Sequence, residues 1–335
     1  MESIYWVLSW ACHRRCRHCY ETRFRPYVRE DLERVVAEAE ANAPRVLANL
    51  PDTVGRVIVS GGEVLLDPVR ARVLLPTLRA LRARYGPATR VVVQTTGDLL
   101  TDAIVAELLE AGVWMISVAG VDDFHVGHEG EVAQADLRAR LAAMFAARGM
   151  RPSGHQAPLR GWEQEDGPVY SFFGATPDMW IGKIWPRGRA WENGLSTATW
   201  ADNFCGQWSG GRGFLQHDKL GSEVSIEPDG AVYPCCVKSG AALGSLLDER
   251  LTDILDDVAA EPAMAAIDAG EPWRMGEAYG LSPEAFRARS ATVTPRGAAY
   301  ENPCIGCDAF HADVLGPILR ARRAARLARA VSLRA

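Results

Sequence analysis

Apolar runs of strand length recur along the first half of this chain with helical stretches among them, and that rhythm constrains the fold more than any other feature. IYWVLSW at 4–10, RVIVSGGE at 56–63, RVVVQTTGD at 90–98 and VWMISVAG at 113–120 read as strands rich in β-branched and aromatic residues. Ile104, Leu108 and Leu109 before Gly112, and Leu137, Leu141, Met144 and Phe145 before Gly149, have the spacing of helix faces closed by a C-terminal glycine. Strand, helix, strand in this order requires parallel strands joined by right-handed crossovers, because a tight hairpin cannot reach a parallel neighbour. VYSFFG at 169–174 and MWIGKIW at 179–185 are candidates for a fifth and a sixth strand. The expected fold is therefore α/β, a partial (β/α)6 TIM-like barrel whose active face lies at the carboxyl ends of its strands. CHRRCRHC, GGE, TTGD and VDDFH all follow strands and fall on that face.

The rhythm stops near residue 195. From there to 310 the chain carries Cys205, Cys235, Cys236, Cys304 and Cys307, together with a hairpin candidate, VSIEPDGAVYPCC, whose turn is Asp229-Gly230. The end, ILRARRAARLARAVSLRA, reads as an Ala/Arg-rich helix with Ile318, Leu319, Leu327 and Val331 as its apolar positions. Three regions are expected: 1–195 for the barrel, 196–312 for a small cysteine-bearing domain of hairpin plus helix, and 313–335 for the basic helix.

With 335 residues, 48% of them apolar, the chain can bury a core without disulfide staples, so its eight cysteines need another explanation. No run approaches the roughly eighteen apolar residues of a membrane span, and the first positive charges follow the first apolar run, the reverse of a secretion signal. These features point to the cytoplasm, where cysteines serve as metal ligands or reactive thiols. A net charge of −5 argues against a protein whose main task is gripping phosphate backbones.

Cys12, Cys16 and Cys19 stand within eight positions, directly after the first strand. Thiolates favour zinc, copper(I) or iron-sulfur clusters, and a structural zinc or an ordinary cluster takes four protein ligands. Three leave one metal position open, which is a catalytic arrangement. A zinc site completed by His13 or a distant cysteine is the competing reading of the triplet.

The spacing C-x3-C-x2-C after a first barrel strand, with His18 before the third cysteine, resembles the signature of radical S-adenosylmethionine (SAM) enzymes. SGGE at 60–63 resembles the glycine-rich motif of the same family. The resemblance implies that Cys12, Cys16 and Cys19 hold three irons of a 4Fe-4S cluster, with the fourth chelated by the amino and carboxylate groups of SAM. Its implied activity is reductive cleavage of SAM to a 5′-deoxyadenosyl radical that takes a hydrogen atom from substrate. It implies further that His18 lies against the adenine and that Gly61, Gly62 and Glu63 meet the amino group. Ser117, near the end of the fourth strand, is a candidate for the ribose. Arg189 in WPRGRAW is a candidate for the SAM carboxylate, because guanidinium suits bidentate carboxylates.

Cys205, Gly230-x4-Cys235 and Cys304-x2-Cys307 resemble the SPASM auxiliary-cluster domain. Where the full pattern has a further cysteine after five intervening residues, this chain has Asp313. That departure points to the shortened twitch form, with one auxiliary 4Fe-4S cluster on Cys205, Cys235, Cys304 and Cys307. Cys236 stands open as an alternative to Cys235, and a four-cysteine zinc ribbon as an alternative to the cluster. Four protein ligands make a closed centre, suited to electron transfer.

An auxiliary centre able to take an electron suggests oxidation of a C–H bond, a dehydrogenation of a small polar metabolite. Asp122, Asp123, His125 and His128 in VDDFHVGH are candidate groups for binding such a substrate or removing its proton, a polar loop capping the next helix being the alternative. A peptide maturase is the first alternative, and it would need a separate leader-recognition protein, since no such pattern precedes Cys12 or follows Cys307. An RNA-modifying enzyme is the second, through Arg320, Arg322, Arg323, Arg326 and Arg329, although a solvated helix face also accounts for these. Trp180, Trp185 and Trp191 are pocket or core residues. The implied partners are a small-molecule or peptide substrate and an electron donor such as flavodoxin or ferredoxin, with no membrane and no nucleic acid expected.

Overall fold

The computed structural model describes residues 1–154, 165–175, 183–207, 210–217, 221–238 and 240–332. The chain divides into two compact units, one of Trp6–Ala43 and Val54–Thr197, the other of Met1–Tyr5, Pro44–Thr53 and Ala198–Ala335.

The first unit is an α/β layer. Its strands are the later part of β1 (Ser3–Val7), then β2 (Arg56–Ser60), β3 (Arg90–Thr95), β4 (Met115–Ala119), β5 (Arg151–Pro152) and β6 (Val169–Phe173). They lie in the order β5-β6-β4-β3-β2-β1. Neighbours from β2 through β6 pair in parallel, and β1 leads into β2 through the Leu8 N–H donated to Ser60 O at 2.7 Å. The expected strands are all present here except the sixth, most of which lies outside the described residues, while its last residues 183–185 are not in a strand. The two-residue edge strand β5 was not expected, because Arg151 and Pro152 are exposed and carry no alternation.

Local chemistry sets the helices. Thr101 caps Asp102–Glu110 by accepting the Ile104 N–H, and Gly112 with φ +88 ends it. Ile104, Val105 and Leu108 form its buried stripe, so Val105 takes the place expected for Leu109. Leu137, Leu141 and Phe145 bury one face of Glu131–Ala147, and Gly149 with φ +74 closes it. On the sheet, Gln94, Ser117 and Ser171 stand in register across β3, β4 and β6 and share one face. The Ser117 and Ser171 hydroxyls are 2.9 Å apart.

In the second unit, Ser3 of β1 donates its N–H to Ser222 O at 2.9 Å. The expected hairpin is formed by β7 (Glu223–Ile226) and β8 (Ala231–Tyr233), with Gly230 at φ +75 in the turn, and β9 (Gly244–Ser245) pairs antiparallel with β8. A second hairpin, β10 (Ala291–Val293) with β11 (Ala299–Glu301), had no clear sequence signal because it is short and largely exposed. Helices Pro303–Phe310 and Gly316–Ser332 are joined through a π-helical turn, His311–Leu315. The helical run is continuous, so residue 313 falls inside one element and not at an edge.

Of the terminal arginines, Arg322, Arg323, Arg326 and Arg329 pair with acidic residues, while Arg320 is exposed. Arg326 is buried, with Nε 2.7 Å from Glu249, Nη1 2.7 Å from Asp257 and Nη2 donating to Leu243 O at 2.8 Å. Arg323 reaches Glu249 and Asp248, and Arg329 reaches Asp257. Leu319 is buried as expected, while Val331 is exposed. Among the described residues, no helix is long and apolar enough to cross a membrane.

Candidate active site and cysteine centres

The loop bearing the first cysteines leaves β1 without regular structure of its own, and residues far along the chain hold it. Cys12 and Cys16 are buried and Cys19 is half-buried. Cys12 donates its N–H to Arg25 O at 3.1 Å, and Glu63 donates to Ala11 O at 2.8 Å. A Cβ on Gly62 would sit 2.3 Å from Ala11 O and 2.8 Å from the Cys12 Cβ, so only glycine lets the two strand ends approach this closely. Gly188, at φ +51, is pressed in the same way against the Tyr20 carbonyl.

Arg189 had been expected at the SAM carboxylate, and its geometry favours another task. Its Nε, Nη1 and Nη2 donate to the carbonyls of Cys16, Thr22 and Phe24 at 2.9, 2.9 and 2.7 Å. The guanidinium is buried and satisfies carbonyls of a loop that has no helix or sheet to do so.

The donor set fits a cationic cluster. Burial pushes the Cys12 thiol up to about 12 and the Cys19 thiol up to about 11, and it also raises Cys16. Cys12 is further raised by Glu63, Cys16 and Cys19. Grouped thiols that resist ionisation together become good ligands when a metal supplies the missing positive charge.

Glu63 is buried, and its carboxylate is engaged within the protein. It accepts the Leu65 N–H at 2.9 Å, the Thr95 hydroxyl at 2.9 Å and the Thr96 N–H at 2.8 Å, and the Thr96 hydroxyl lies 2.8 Å away. Those contacts occupy the usual acceptor sites of a carboxylate. Among the described residues, the Gly61 and Gly62 carbonyls accept no hydrogen bond, which leaves them as the acceptors at this strand end.

From Glu63 a polar network runs through Thr96, Asp98 and Arg14, not singled out in the sequence as site residues, and takes in the candidates His13 and His128. Thr96 also contacts Asp98, whose Oδ2 is 2.6 Å from His13 Nε2 and 2.9 Å from Arg14 Nη2. Arg14 Nη2 is 3.2 Å from His128 Nε2, and His128 Nδ1 is 3.0 Å from Gly120 O. Burial alone would raise the Asp98 carboxyl, but His13, Thr96 and the Arg14 charge outweigh it and hold it well below the usual range. The available signal was positional, since TTGD and VDDFHVGH each follow a strand.

The loop after β4 separates its two aspartates. Asp122 is buried and accepts the N–H groups of Phe124, His125 and Ala175 at 2.9, 3.1 and 2.8 Å. Its Oδ1 also lies 2.9 Å from His125 Nδ1. Asp123 is exposed and accepts from Gly130 N–H and Gln134 Nε2, which organises entry into Glu131–Ala147 away from this group. His18 stands edge-on to His125 with ring centroids 4.5 Å apart, and its Nδ1 is 3.1 Å from Phe124 O. Burial, aided by His125, lowers the His18 pKa to about 4, so its ring is neutral at neutral pH. The donor atoms of His18, Asp122 and His125 lie within 4.8 Å of one another.

Regular elements present the second set of cysteines. Cys205 sits in the 3-10 turn Phe204–Gly206, capped by Asn203, and Cys235 follows β8. Cys304 and Cys307 occupy one face of Pro303–Phe310, where Asn302 accepts the Cys304 N–H at 2.9 Å. The glycine between them is required, because a Cβ at Gly306 would lie 2.1 Å from Ser290 Oγ. Burial pushes the Cys205 thiol well up, and Cys235, Cys307 and Cys304 push it further, which groups these four thiols. Burial also pushes the Cys236 thiol up, with Cys235 and Glu223 adding to the rise and Lys238 opposing it, and the other three cysteines of that group are not among its causes.

Residues 6–152 match the family model of the radical SAM superfamily, and residues 219–272 match that of an iron-sulfur cluster-binding domain, SPASM. This chain is a radical SAM enzyme with a SPASM-type domain. Such a chain binds a 4Fe-4S cluster, SAM and auxiliary iron-sulfur. The SPASM match includes Cys235 and Cys236, while Cys205, Cys304 and Cys307 lie outside it.

A solved structure of BtrN in complex with AdoMet and 2-DOIA is 16% identical, with 81% of this chain and 88% of that chain covered and a TM-score of 0.46. Native anSMEcpe with bound AdoMet is 16% identical, with 76% and 80% covered and a TM-score of 0.40. Streptococcus suis SuiB bound to precursor peptide SuiA is 11% identical, with 80% and 66% covered and a TM-score of 0.32. A comparison with curated protein sequences found no match.

Proposed function

We propose that this enzyme oxidises an alcohol carbon of a small polar molecule to a carbonyl. The observation that carries this reading is the buried Asp122 carboxylate beside His125 Nδ1. A proton on Nδ1 donated to Asp122 leaves Nε2 with its lone pair, the tautomer of a general base, and the carboxylate stabilises the imidazolium once it forms. When bound, the cluster with SAM supplies a 5′-deoxyadenosyl radical that removes the carbon-bound hydrogen atom, and the auxiliary centre supplies an acceptor for one electron. His125 Nε2 takes the hydroxyl proton. Loss of one hydrogen atom, one proton and one electron converts H–C–O–H to C=O.

In this reading Cys12, Cys16 and Cys19 hold the catalytic cluster, and Cys205, Cys235, Cys304 and Cys307 hold the auxiliary one. The Gly61 and Gly62 carbonyls meet the amino group of SAM, and the neutral His18 ring lies against its adenine. Ser117, in the polar row with Gln94 and Ser171, meets hydroxyls of the ribose or substrate. Arg189 holds the cysteine loop, and a flavodoxin or ferredoxin delivers the starting electron. The pairing of the terminal arginines with acidic residues weighs against the RNA reading.

The test is anaerobic turnover of reconstituted enzyme with a panel of polyols and amino alcohols, read by mass spectrometry. A product lighter by two hydrogens, formed with one 5′-deoxyadenosine each, is expected. His125→Gln should keep SAM cleavage and lose at least tenfold in product, the lower range of general-base effects being on the order of 100-fold. Unchanged product formation in that variant, or turnover confined to peptides, would overturn the proposal.

A further inference from the structure

Lys238 has a left-handed backbone, φ +61, and among the described residues no other non-glycine residue has a positive φ. It follows Cys235 by three positions and donates its N–H to the Cys235 carbonyl at 3.2 Å. Its ammonium pairs with Glu227, and the two side chains are only 8% and 1% exposed.

Glu227 extends a buried polar stripe. It follows β7, and Glu223, Ser225 and Glu227 alternate along one face of that segment, all buried. Ser225 is opposite Tyr233, where β8 ends, and Cys235 lies two residues past that end. The buried Lys238–Glu227 pair therefore belongs to the short segment that carries Cys235, with the Lys238 N–H on the Cys235 carbonyl.

A buried ion pair often stabilises a fold no better than an apolar pair of the same shape, because both charges must leave water. A strained backbone that carries one of those charges inward, beside a metal ligand, points to a use other than stability. Iron-sulfur potentials depend on local net charge, hydrogen bonding and solvent access, and a fixed charge acts strongly where water is excluded.

We propose that Lys238 sets the reduction potential of the auxiliary centre, its buried positive charge favouring the reduced state against the field of Glu223 and Glu227. This rests on the reading that Cys205, Cys235, Cys304 and Cys307 hold that centre, and it deepens the oxidation proposed above. On reduction the centre gains one negative charge, which Lys238 attracts and the two glutamates repel. In turnover the electron comes from the substrate radical, and in the test it comes from dithionite.

The experiment is a redox titration followed by electron paramagnetic resonance, on full-length protein carrying Cys12→Ala, Cys16→Ala and Cys19→Ala so that only the auxiliary centre responds. Lys238→Met should lower the midpoint potential, Glu227→Gln should raise it, and the double variant should return close to the starting value. Lys238→Arg, which keeps the charge, should shift it little. A merely structural role predicts shifts of one direction in both single variants and no return in the double. That pattern, or an unchanged potential in Lys238→Met at full iron content, would overturn the proposal. If Lys238→Met fails to assemble, the rise in Glu227→Gln and the retention in Lys238→Arg decide, and absence of both rejects it. A signal that survives Cys304→Ala and Cys307→Ala would overturn the auxiliary-centre reading itself, an outcome distinct from an unmoved potential.

Discussion

Cys12, Cys16 and Cys19 come from one loop of eight positions, whereas Cys205, Cys235, Cys304 and Cys307 come from three separate stretches of the second unit. Closing the short loop carries little chain entropy, but the loop has no regular structure to define its shape. Gly62, Gly188 and Arg189 define it from outside. The later cysteines each sit on or beside an element that holds itself, a capped 3-10 turn, a hairpin end and a capped helix. On the proposed assignment, the difference teaches that an open metal site with ligands close in sequence depends on distant residues for its geometry. A closed site with scattered ligands depends instead on the folding of its unit.

Replacement of Cys12, Cys16 and Cys19 by alanine should have the largest effect. Formation of 5′-deoxyadenosine should fall to background while auxiliary iron remains. Cleavage at the wild-type rate would break the distinction between the two centres. Cys304→Ala with Cys307→Ala should do the converse, with slow uncoupled SAM cleavage retained and product below detection. A fully active double variant would show that the second centre takes no part in turnover.

Arg189→Met tests the outside support of the open site. It leaves three loop carbonyls without their donors and should cost about 3 kcal/mol in denaturant unfolding, with less iron retained in the loop. A variant of normal stability and iron content but weakened SAM binding would restore the carboxylate role. Arg326→Met makes the matching test in the second unit. It uncovers buried Glu249 and should also cost about 3 kcal/mol, whereas Arg329→Ala, at an exposed pair, should change stability by less than about 1 kcal/mol. Cys236→Ala should do least, leaving auxiliary iron unchanged and stability within about 1 kcal/mol of wild type. Loss of the auxiliary signal in that variant would exchange the roles of Cys235 and Cys236.

Much of the first unit was legible because parallel strands buried on both faces are continuous β-branched runs, as in Val57–Val59 and Val91–Val93. The cysteine loop and GGE were legible because their chemistry is local. β5 was not, since Arg151 and Pro152 carry neither alternation nor propensity for a strand. Nor was the contrast between Asp122 and Asp123, adjacent carboxylates of which one is buried against His125 and the other is exposed. Val105 displaced Leu109 because helix periodicity names a face only to within about one residue.

By itself the sequence determined the parallel α/β rhythm, the close-set cysteine triplet, the hairpin and the CxxC helix, because each depends on spacings within one turn, strand or loop. Only the tertiary structure decided what Arg189, Glu63 and Lys238 touch. Arg189 reaches carbonyls 165 to 173 positions away, Glu63 meets threonines 32 and 33 positions on, and Lys238 meets Glu227 across the hairpin. A charged side chain reads the same in sequence whether it faces ligand, solvent or buried carbonyls. Its role depends on which partner the folded chain brings within hydrogen-bond distance and which water it excludes.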